Sequence, residues 1–433
     1  MWTKVKKILN SIGFLLLLLI ALCYVINLLS HKESKIQYQP FYECETDIDV
    51  LFLGTSHMYN SVLPQVLWNE YGITSYNWGY SNCTIAENYY ILQALLEIKK
   101  PQVVVLDLFG LTEYEGIGNG KYRQDRIEQQ HVQFDALPVS QIKWSAAKDI
   151  FDDYDGNHDF VFNFTKYHNR WEELSQEDFS YSPSTEKGAQ MLVGHQDMSD
   201  YVALFDSSYF VEQLDWSIDT EVSRTVCYEY LHKLLAYCDE NGITLLCTFL
   251  PYPAESNVQL NAYVLGDVLA DYNCEYLNLV EPGHDVLNMY TDIYYDGQHL
   301  NYSGAYHTTQ FLGQYLRDNY GLADHRNDPA YQQWHKDYEQ YVNFKAEQIR
   351  NADHIYEKLM LLIGGDFHMT LIENIDCTLI EEDAVFANFI TAMADQIVFY
   401  KDVLDCDYKI IIYRTETGEV VDECRFIEYN PAP

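Results

Sequence analysis

The residues in this sequence that suggest chemistry are a serine near the N-terminal end and an aspartate and a histidine much further along. Ser56 follows a short apolar run, and Asp296 and His299 form an Asp-x-x-His pattern. A hydroxyl, an imidazole and a carboxylate are the three groups that nucleophilic acyl transfer requires, because the serine attacks, the histidine carries the proton and the carboxylate orients the histidine. We therefore predict a catalytic triad of Ser56, His299 and Asp296.

Each half of this triad has an ordinary structural alternative. Serine at the end of a strand commonly caps the helix that follows, and an Asp-x-x-His segment is also typical of a loop closed by an Asx turn. His57, directly after Ser56, is not assigned as the base, because neighbouring side chains point in different directions. The triad interpretation therefore depends on whether the fold brings the two segments together.

The sequence between these segments predicts an α/β fold with a parallel sheet. Apolar runs that resemble strands alternate with helical patterns, and this alternation is typical of a parallel sheet covered by helices on both faces. The predicted strands are Val50 to Leu53, Ser75 to Trp78, Val103 to Leu106, Ile243 to Leu250 and Tyr276 to Val280, and the clearest predicted helix is Thr220 to Glu240. Ser56 follows the first strand and His299 the fifth, so both should lie at the carboxyl edge, where open α/β sheets bind ligands.

One predicted connection, residues 111–215, is far longer than the usual connection in such folds. We expect this insertion to cover the site. Its aromatic residues Tyr167, His168 and Trp171 are candidates for a substrate wall, with ordinary surface packing as the alternative. The acidic loop from Asp152 to Asp159 lacks the glycine and glutamate positions of an EF-hand, so it is interpreted as a solvated turn.

The N-terminus predicts a membrane anchor. Lys4, Lys6 and Lys7 precede an uncharged apolar run from Ile8 to Leu29, which is long enough to cross a hydrocarbon layer of about 30 Å. The basic flank predicts a cytoplasmic N-terminus and an extracytoplasmic remainder. Residues 1–30 are thus a predicted single-pass signal anchor, and residues 31–44 a predicted linker. A lipoprotein-like site ending at Cys23 is the less favoured alternative, because Leu22 stands where a small residue is expected.

Composition excludes one class of partner and gives no sign of a cofactor. The 433 residues include 27 Lys and Arg against 65 Asp and Glu, a formal charge of −38, which argues against nucleic acid because such binding depends on neutralising phosphates. The ten cysteines are scattered without zinc-binding spacing. We predict no metal and no cofactor.

The organisation of the remaining chain is predicted as two units. Residues 45–325 should form the α/β domain, and residues 326–433 a helical connector followed by a small α+β module. The connector is an amphipathic helical region from Asp328 to Leu362. In the module we predict a β-hairpin, with strands from Lys409 to Tyr413 and from Val420 to Ile427.

Several short motifs resemble those of the SGNH, or GDSL-like, hydrolase superfamily. Gly54 to His57 is similar to its first block, with Thr55 in place of aspartate; Asn77 to Gly79 is similar to its second block, and Asp296 to His299 to its last. The resemblance implies a flavodoxin-like, SGNH-type sheet. It also implies that the Gly79 backbone N–H forms an oxyanion hole together with the Ser56 amide, and a plain turn glycine is the alternative for Gly79.

The third block of that family departs from the pattern. An asparagine is expected after the third strand, but the sequence there is Asp107 to Gly110 with no asparagine. Asn82, on the same predicted loop as Gly79, is a candidate substitute donor to the oxyanion. The departure puts oxyanion stabilisation in doubt.

The anchor and the insertion together resemble a membrane-anchored subgroup that includes teichoic acid D-alanyl transfer and polysaccharide O-acetyl transfer proteins. This implies an anchored serine esterase or O-acyltransferase on the cell membrane, acting on an acylated glycan or related cell-envelope polymer, with a multi-spanning membrane acyltransferase as a partner. The formal glycosylation sequons at Asn82 and Asn301 lie in the predicted site and favour a bacterial surface. Water and a glycan hydroxyl both remain open as acceptors.

Two other functions are compatible with the sequence. The first is a catalytically silent surface scaffold that binds a glycan or docks a membrane acyltransferase, and the missing asparagine motivates it. The second and weaker one is a nucleotide-binding flavodoxin-like protein. The first loop lacks the glycine-rich phosphate cradle that such binding needs.

Overall fold

The computed structural model describes residues 2–30, 32–111, 127–150, 157–179, 191–199, 226–272, 274–377 and 383–426. Its centre is a sheet of five strands, β1 Val50–Leu53, β2 Ser75–Asn77, β3 Val103–Asp107, β4 Leu245–Phe249 and β5 Glu275–Asn278. All are parallel, in the order β2-β1-β3-β4-β5. This is the flavodoxin-like strand order, so the predicted α/β fold is confirmed.

Helices flank the sheet and extend to both ends of the chain. In chain order they are α1 Trp2–Leu29, α2 Lys32–Glu43, α3 Ser56–Ser61, α4 Pro64–Tyr71, α5 Ile85–Leu96, α6 Ile127–Ala136, α7 Gln141–Ile150, α8 Phe164–Tyr167, α9 Gln176–Phe179, α10 Val226–Asn241, α11 Ser256–Leu269, α12 Tyr302–Tyr320, α13 Gln332–Asn351, α14 Ile355–Leu362 and α15 Ala384–Ala392. Of the predicted helix from Thr220, the part before Val226 lies outside the described residues.

The central strands are apolar at consecutive positions because both of their faces are covered. Leu51 and Leu53 pack on one side with α5, α10 and α11. Val50 and Phe52 pack on the other side with α3, α4 and α12. Alternation of side chains along a strand produces this division, and a strand buried on both sides needs apolar residues at every position.

The segment after α1 differs from the linker predicted for residues 31–44. It contains the helix α2, whose Tyr38 and Phe41 are fully buried in the main core. Tyr38 stacks on Trp78 at a ring separation of 4.4 Å. Tyr38, Phe41 and Tyr42 share one helical face, a spacing that the polar residues between them obscured in the sequence. The domain is therefore folded up to the end of the apolar helix.

The C-terminal part contains a second sheet in the order β7-β6-β8-β9. Its strands are β6 Phe367–Asn374, β7 Ile397–Asp402, β8 Tyr408–Arg414 and β9 Val420–Phe426. The antiparallel pair β8 and β9 is the hairpin expected from the sequence, and the predicted helical region before it is divided into α13 and α14. The core of this C-terminal module is continuous with four residues of the α/β domain, Leu63, Val66, Tyr302 and Tyr306. The module therefore packs against the segments that follow Ser56 and His299 in the chain.

Candidate active site

Ser56 lies at the turn between β1 and α3. It is partly exposed, whereas its neighbours Thr55 and His57 are buried. The N-cap of α3 is Thr55, whose hydroxyl accepts a hydrogen bond from the His57 amide at 3.1 Å. Capping is thus done by Thr55, and the hydroxyl of Ser56 is left to interact with other groups.

The structure brings Ser56, His299 and Asp296 into one hydrogen-bonded series. Ser56 Oγ lies 2.8 Å from His299 Nε2, and His299 Nδ1 lies 2.6 Å from Asp296 Oδ2. With Asp296 accepting from Nδ1–H, Nε2 is the nitrogen free to accept a proton from the Ser56 hydroxyl. A hydroxyl, an imidazole and a carboxylate are therefore in direct contact across the sheet edge.

The loop that carries Asp296 and His299 is a tight hairpin-like turn. The amide of Tyr294 donates to the carbonyl of His299 at 2.8 Å, and the Gly297 amide donates to the carbonyl of Tyr294 at 2.9 Å. Gly297 has a φ of 71°, a left-handed conformation that favours glycine. Asp296 also forms the Asx turn considered as an alternative, because its Oδ1 accepts from the amides of Gln298 and His299 at 2.9 Å each.

The Asx turn and the imidazole contact use different oxygens of the same carboxylate. Burial alone would raise the pKa of Asp296, but hydrogen bonds from the His299 ring and from the amides of His299 and Gln298 outweigh burial and hold the pKa below its usual value. The carboxylate is thereby kept ionised, the form that orients and stabilises a protonated imidazole.

The base of this loop is fixed by two buried polar residues. Asn301 caps α12 and donates from Nδ2 to the carbonyl of Thr291 at 2.7 Å. Asp292 accepts from Ser303 Oγ at 2.7 Å and contacts His307 Nδ1 at 2.7 Å. These contacts hold the two ends of the loop together and so fix the position of His299 between them.

His57 lies closer to the site than the sequence indicated. Its ring stacks on Phe109 at a centroid separation of 3.5 Å, meets Tyr252 edge-on at 4.6 Å, and lies 5.2 Å from the ring of His299. Burial, and next the proximity of His299, lower the pKa of His57 well below its usual value, against a smaller opposing effect of Asp296. A neutral imidazole thus forms one wall beside the triad.

The backbone amide of Gly79, the first candidate oxyanion donor, already has a partner. It donates to Asn77 Oδ1 at 3.0 Å. The amide group of Asn77 in turn donates to the carbonyls of Met58 and Val62, at 3.0 and 3.1 Å, which ties α3 to this loop. Gly79 also lies close to α3, since a Cβ there would be 3.0 Å from the carbonyl oxygen of Thr55. The structure places Gly79 beside the turn that carries Ser56, but the N–H of Gly79 is directed at Asn77.

The side chain of Asn82, the second candidate donor, is also engaged. Its Nδ2 donates to Gln129 Oε1 of α6 at 2.7 Å. Asn82 has a φ of 59°, one of the two positive values among non-glycine residues in the described chain. The contact links the loop after β2 to the insertion, so the insertion reaches the edge of the sheet that carries Ser56.

Asp107 occupies the end of β3, where the family pattern has its asparagine block. Its Oδ1 accepts from the Leu250 amide at 3.2 Å, and its Cβ lies 2.8 Å from where a side chain at Gly54 would begin. Burial raises the pKa of Asp107 to about 7, with hydrogen bonds from backbone amides acting against that rise. A carboxyl group, instead of an amide, therefore supports the turn before Ser56.

The three residues predicted to form a substrate wall lie on the insertion near the end of α1. Tyr167 is buried against the ring of His131, at 6.1 Å. His168 is exposed and its Nδ1 lies 2.8 Å from the carbonyl oxygen of Thr165. Trp171 is exposed and follows Arg170, which hydrogen-bonds to the carbonyls of Leu29 and Ser30. Their role as a substrate wall stays a prediction.

A segment of the insertion also supports the loop that carries Asp296 and His299, which we call the histidine loop. Sequence reasoning missed this support. The amide of Gln196 donates to the carbonyl of Ile293 at 2.6 Å, and the amide of Tyr302 donates to the carbonyl of Leu192 at 2.8 Å. His195, between them, packs edge-on against Tyr356 of α14 at 4.6 Å. The C-terminal module therefore contacts the histidine loop through this segment, and no motif in the sequence pointed to it.

Comparisons with known proteins add little to this geometry. No family model matches the sequence, and no curated protein matches it. Among solved structures, an active-site mutant of a family two carbohydrate esterase from Clostridium thermocellum matches with a TM-score of 0.27 and 9% identity. The match covers 64% of this chain and 66% of that one, slightly less than two thirds of its length. At this level the likeness carries no functional argument.

Proposed function

We propose that this chain is a membrane-anchored serine esterase or O-acyltransferase that acts on acylated carbohydrate of the cell envelope. The observation that carries the proposal is the series from Ser56 Oγ to His299 Nε2, at 2.8 Å, and from His299 Nδ1 to Asp296 Oδ2, at 2.6 Å. General-base catalysis requires such distances between a nucleophile and its base.

In the proposed reaction Ser56 Oγ attacks the acyl carbonyl carbon while His299 Nε2 takes the hydroxyl proton. The tetrahedral intermediate then expels the alcohol of the donor, which receives that proton from His299, and the acyl group stays on Ser56 as an ester. Water or a sugar hydroxyl next attacks this ester with His299 again as the base, and Ser56 recovers its proton. Asp296 holds His299 through Nδ1–H and stabilises its charged form in both halves.

The location and the partner are part of the proposal. The helix from Lys4 to Leu29 is long and apolar enough to span a membrane, and the lysines before it favour a cytoplasmic N-terminus. The catalytic domain would then lie outside the cytoplasm. The resemblance to acyl-transfer proteins supplies the expected substrate, an acylated glycan or envelope polymer, and the expected partner, a multi-spanning acyltransferase.

A second candidate function, a catalytically silent scaffold that binds a glycan or docks a membrane acyltransferase, is favoured by one observation. The Gly79 amide and the Asn82 side chain both donate to groups of the protein itself. Oxyanion donors usually supply a large part of the rate enhancement, so a site that has only the Ser56 amide as a donor would bind with little turnover.

The experiment that tests the enzyme proposal uses the full chain in detergent micelles. We expect a fluorescent fluorophosphonate to label the wild type and the protein to hydrolyse a chromogenic acetyl ester. Ser56→Ala should abolish both, whereas Ser61→Ala, a substitution at the last residue of the same helix, should retain both. Equal labelling and turnover by Ser56→Ala would rule out Ser56 as the nucleophile.

A second measurement separates the esterase from the transferase. The acyl group on Ser56 partitions between water and a hydroxyl acceptor according to how well the closed site excludes water. Adding an oligosaccharide acceptor should therefore yield acylated sugar if the chain is a transferase. If the product remains free acid at every acceptor concentration, the chain is an esterase.

A further inference from the structure

The insertion is attached directly to the end of the apolar helix α1. Arg170 Nη1 donates to the carbonyls of Leu29 and Ser30 at 2.8 and 2.6 Å. Arg170 Nη2 donates to Asp178 Oδ1 at 2.8 Å, and Lys32 Nζ lies 3.3 Å from Asp178 Oδ2. These contacts fix the segment around residues 170–178 at the level where α1 ends.

Five large apolar side chains of the insertion are at least half exposed. We call them the collar: Val139, Trp144, Phe162, Trp171 and Phe179. The rings of Trp144 and Phe162 meet edge-on at 6.2 Å. Trp171 directly follows Arg170, and Phe179 directly follows Asp178, so two of its members adjoin the contacts with α1. Contiguous exposed apolar surface, such as the pair of Trp144 and Phe162, commonly marks a site that a partner or a membrane covers.

The length of α1 places the collar at a defined depth. The span from Lys4 to Leu29 has 26 residues, about 39 Å at 1.5 Å per residue, whereas the hydrocarbon core measures about 30 Å. With Lys4, Lys6 and Lys7 in the cytoplasmic headgroup layer, the uncharged run from Ile8 to Leu29, about 33 Å long, crosses the hydrocarbon core and ends at its outer boundary. Aromatic side chains are enriched at the headgroup layer, because their rings are apolar while Trp also offers an N–H to polar groups.

We propose that the collar inserts into the headgroup region of the phospholipid bilayer that holds α1, so that the catalytic domain rests on the membrane surface. The inference depends on the membrane anchoring in the proposed function. It assigns Trp171 to lipid, in place of the substrate wall predicted from the sequence. Arg170, Lys32 and Asp178 set the height of the domain by bonding to one another and to the end of α1.

The same arrangement places the candidate active site near the membrane. Tyr80, which follows Gly79, donates from its hydroxyl to Glu33 Oε1 at 2.8 Å. Glu33 is only four residues beyond Leu29, a separation of at most about 14 Å even for a fully extended chain. The Tyr80 ring also stacks over Tyr59 of α3 at 6.4 Å. The edge of the sheet that carries Ser56 therefore lies close to the end of the span, within reach of acyl groups presented at the bilayer surface.

Fluorescence quenching in phospholipid vesicles tests this proposal on the full chain. The vesicles contain phosphatidylcholine with acyl chains brominated near the headgroup, which quenches only tryptophans that enter the bilayer. The double substitution Trp144→Phe and Trp171→Phe should remove a quenched component of the emission. Trp68→Phe, at a fully buried tryptophan under α13, is the matched control and should remove none.

Brominated-lipid quenching that is the same in the double variant and the wild type would overturn the proposal. Iodide dissolved in the water then identifies the alternative. If iodide quenches Trp144 and Trp171, the collar is exposed to solvent and its occupant is a protein partner absent from the vesicles. If the two tryptophans are protected from iodide, a second copy of the chain covers them. Ser56→Ala should behave as wild type here, so failure of the enzyme proposal is detected separately. Release of the chain by alkaline carbonate would report failure of the anchor itself.

Discussion

The proton-transfer half of the candidate site and its charge-stabilising half are built differently. Ser56, His299 and Asp296 form an unbroken series of hydrogen bonds. By contrast, two of the groups expected to stabilise the oxyanion, the Gly79 amide and the Asn82 side chain, donate to Asn77 and to Gln129. One half is arranged for reaction in this structure, while the other would have to exchange partners.

The difference follows from how each half is held. The histidine loop is closed by its own short-range bonds and by Asp292 and Asn301 beneath it, so its geometry does not depend on a substrate. The loop after β2 is instead tied to α3 through Asn77 and to the insertion through Gln129. The insertion is thus in a position to control the charge-stabilising half, and several substitutions separate the two halves experimentally.

Loss of the base should have the largest effect. We expect His299→Ala to lower kcat for an acetyl ester by about 10⁴ to 10⁶-fold, since residues of a triad act as a unit. Adding Ser56→Ala should cause little further loss. His335→Ala, on the exposed face of α13, is the control and should retain full activity. If His299→Ala kept activity within tenfold of wild type, the proton-transfer half would be misassigned.

Asp296→Asn should have the next largest effect, about 10² to 10⁴-fold in kcat. An amide at this position keeps the oxygen that accepts from the amides of Gln298 and His299, so the turn should survive. Its nitrogen, however, would face His299 Nδ1 and favour the tautomer that cannot accept the serine proton. Steady-state kinetics together with thermal melting check this: activity should fall while the melting temperature changes little.

Asp107→Asn should change how stability depends on pH. The pKa of Asp107 is raised from 3.8 to about 7 in the folded chain, so the folded state keeps a proton that the unfolded state loses. Stability should therefore fall as pH rises from about 4 to 7, by up to about 4 kcal/mol at about 1.4 kcal/mol per pKa unit.

The asparagine variant lacks this titration, and it should gain stability relative to wild type across that range and then level off. Unfolding in urea, followed at several pH values for both proteins, measures the difference. Parallel curves for the two proteins would show that Asp107 does not retain the proton. The comparison bears on the candidate site because Asp107 packs against Gly54, two residues before Ser56.

Asn82→Ala should have the smallest effect. A true oxyanion donor usually contributes about 10² to 10³-fold in kcat, whereas Asn82 is held by Gln129, so we expect a decrease of less than about tenfold. Gln129→Ala, which removes this hydrogen-bond partner of Asn82, is the matched variant. A loss of 10²-fold or more in Asn82→Ala would show that this side chain changes partner during the reaction, and the contrast between the two halves would then hold only for the unliganded protein.

The fold and the meeting of Ser56, His299 and Asp296 could be predicted from the sequence because both depend on local patterns. Runs of apolar residues marked β1, β3 and β4, and a parallel sheet places the ends of β1 and β5 at one edge. Thr55, and not Ser56, caps α3, and the two oxygens of Asp296 accept separately from the Asx turn and from His299. The predictions of the sheet and of the three residues rest on local sequence patterns.

The parts that the sequence did not reveal depend on long-range contacts. The helix α2 is buried because Tyr38 meets Trp78, and the support of the histidine loop comes from Gln196 in the insertion and, through His195, from Tyr356 in the C-terminal module. The sequence argues against a place for the His57 side chain beside Ser56, because adjacent side chains point in different directions. In the structure its ring stacks on Phe109 and lies near the ring of His299. The partner of Asn82, Gln129, likewise lies in the insertion, whereas Gly79 donates to the nearby Asn77.

The central claim is that Ser56 becomes acylated, and rapid acid quenching of the reaction with an acetyl ester tests it most directly. Mass spectrometry of the quenched full chain should find one acetyl group per protein, on the peptide that contains Ser56, during the first turnover. The same experiment on Ser56→Ala should find none. Ester hydrolysis without any acetylated Ser56, or an acetyl group on a different residue, would contradict the account.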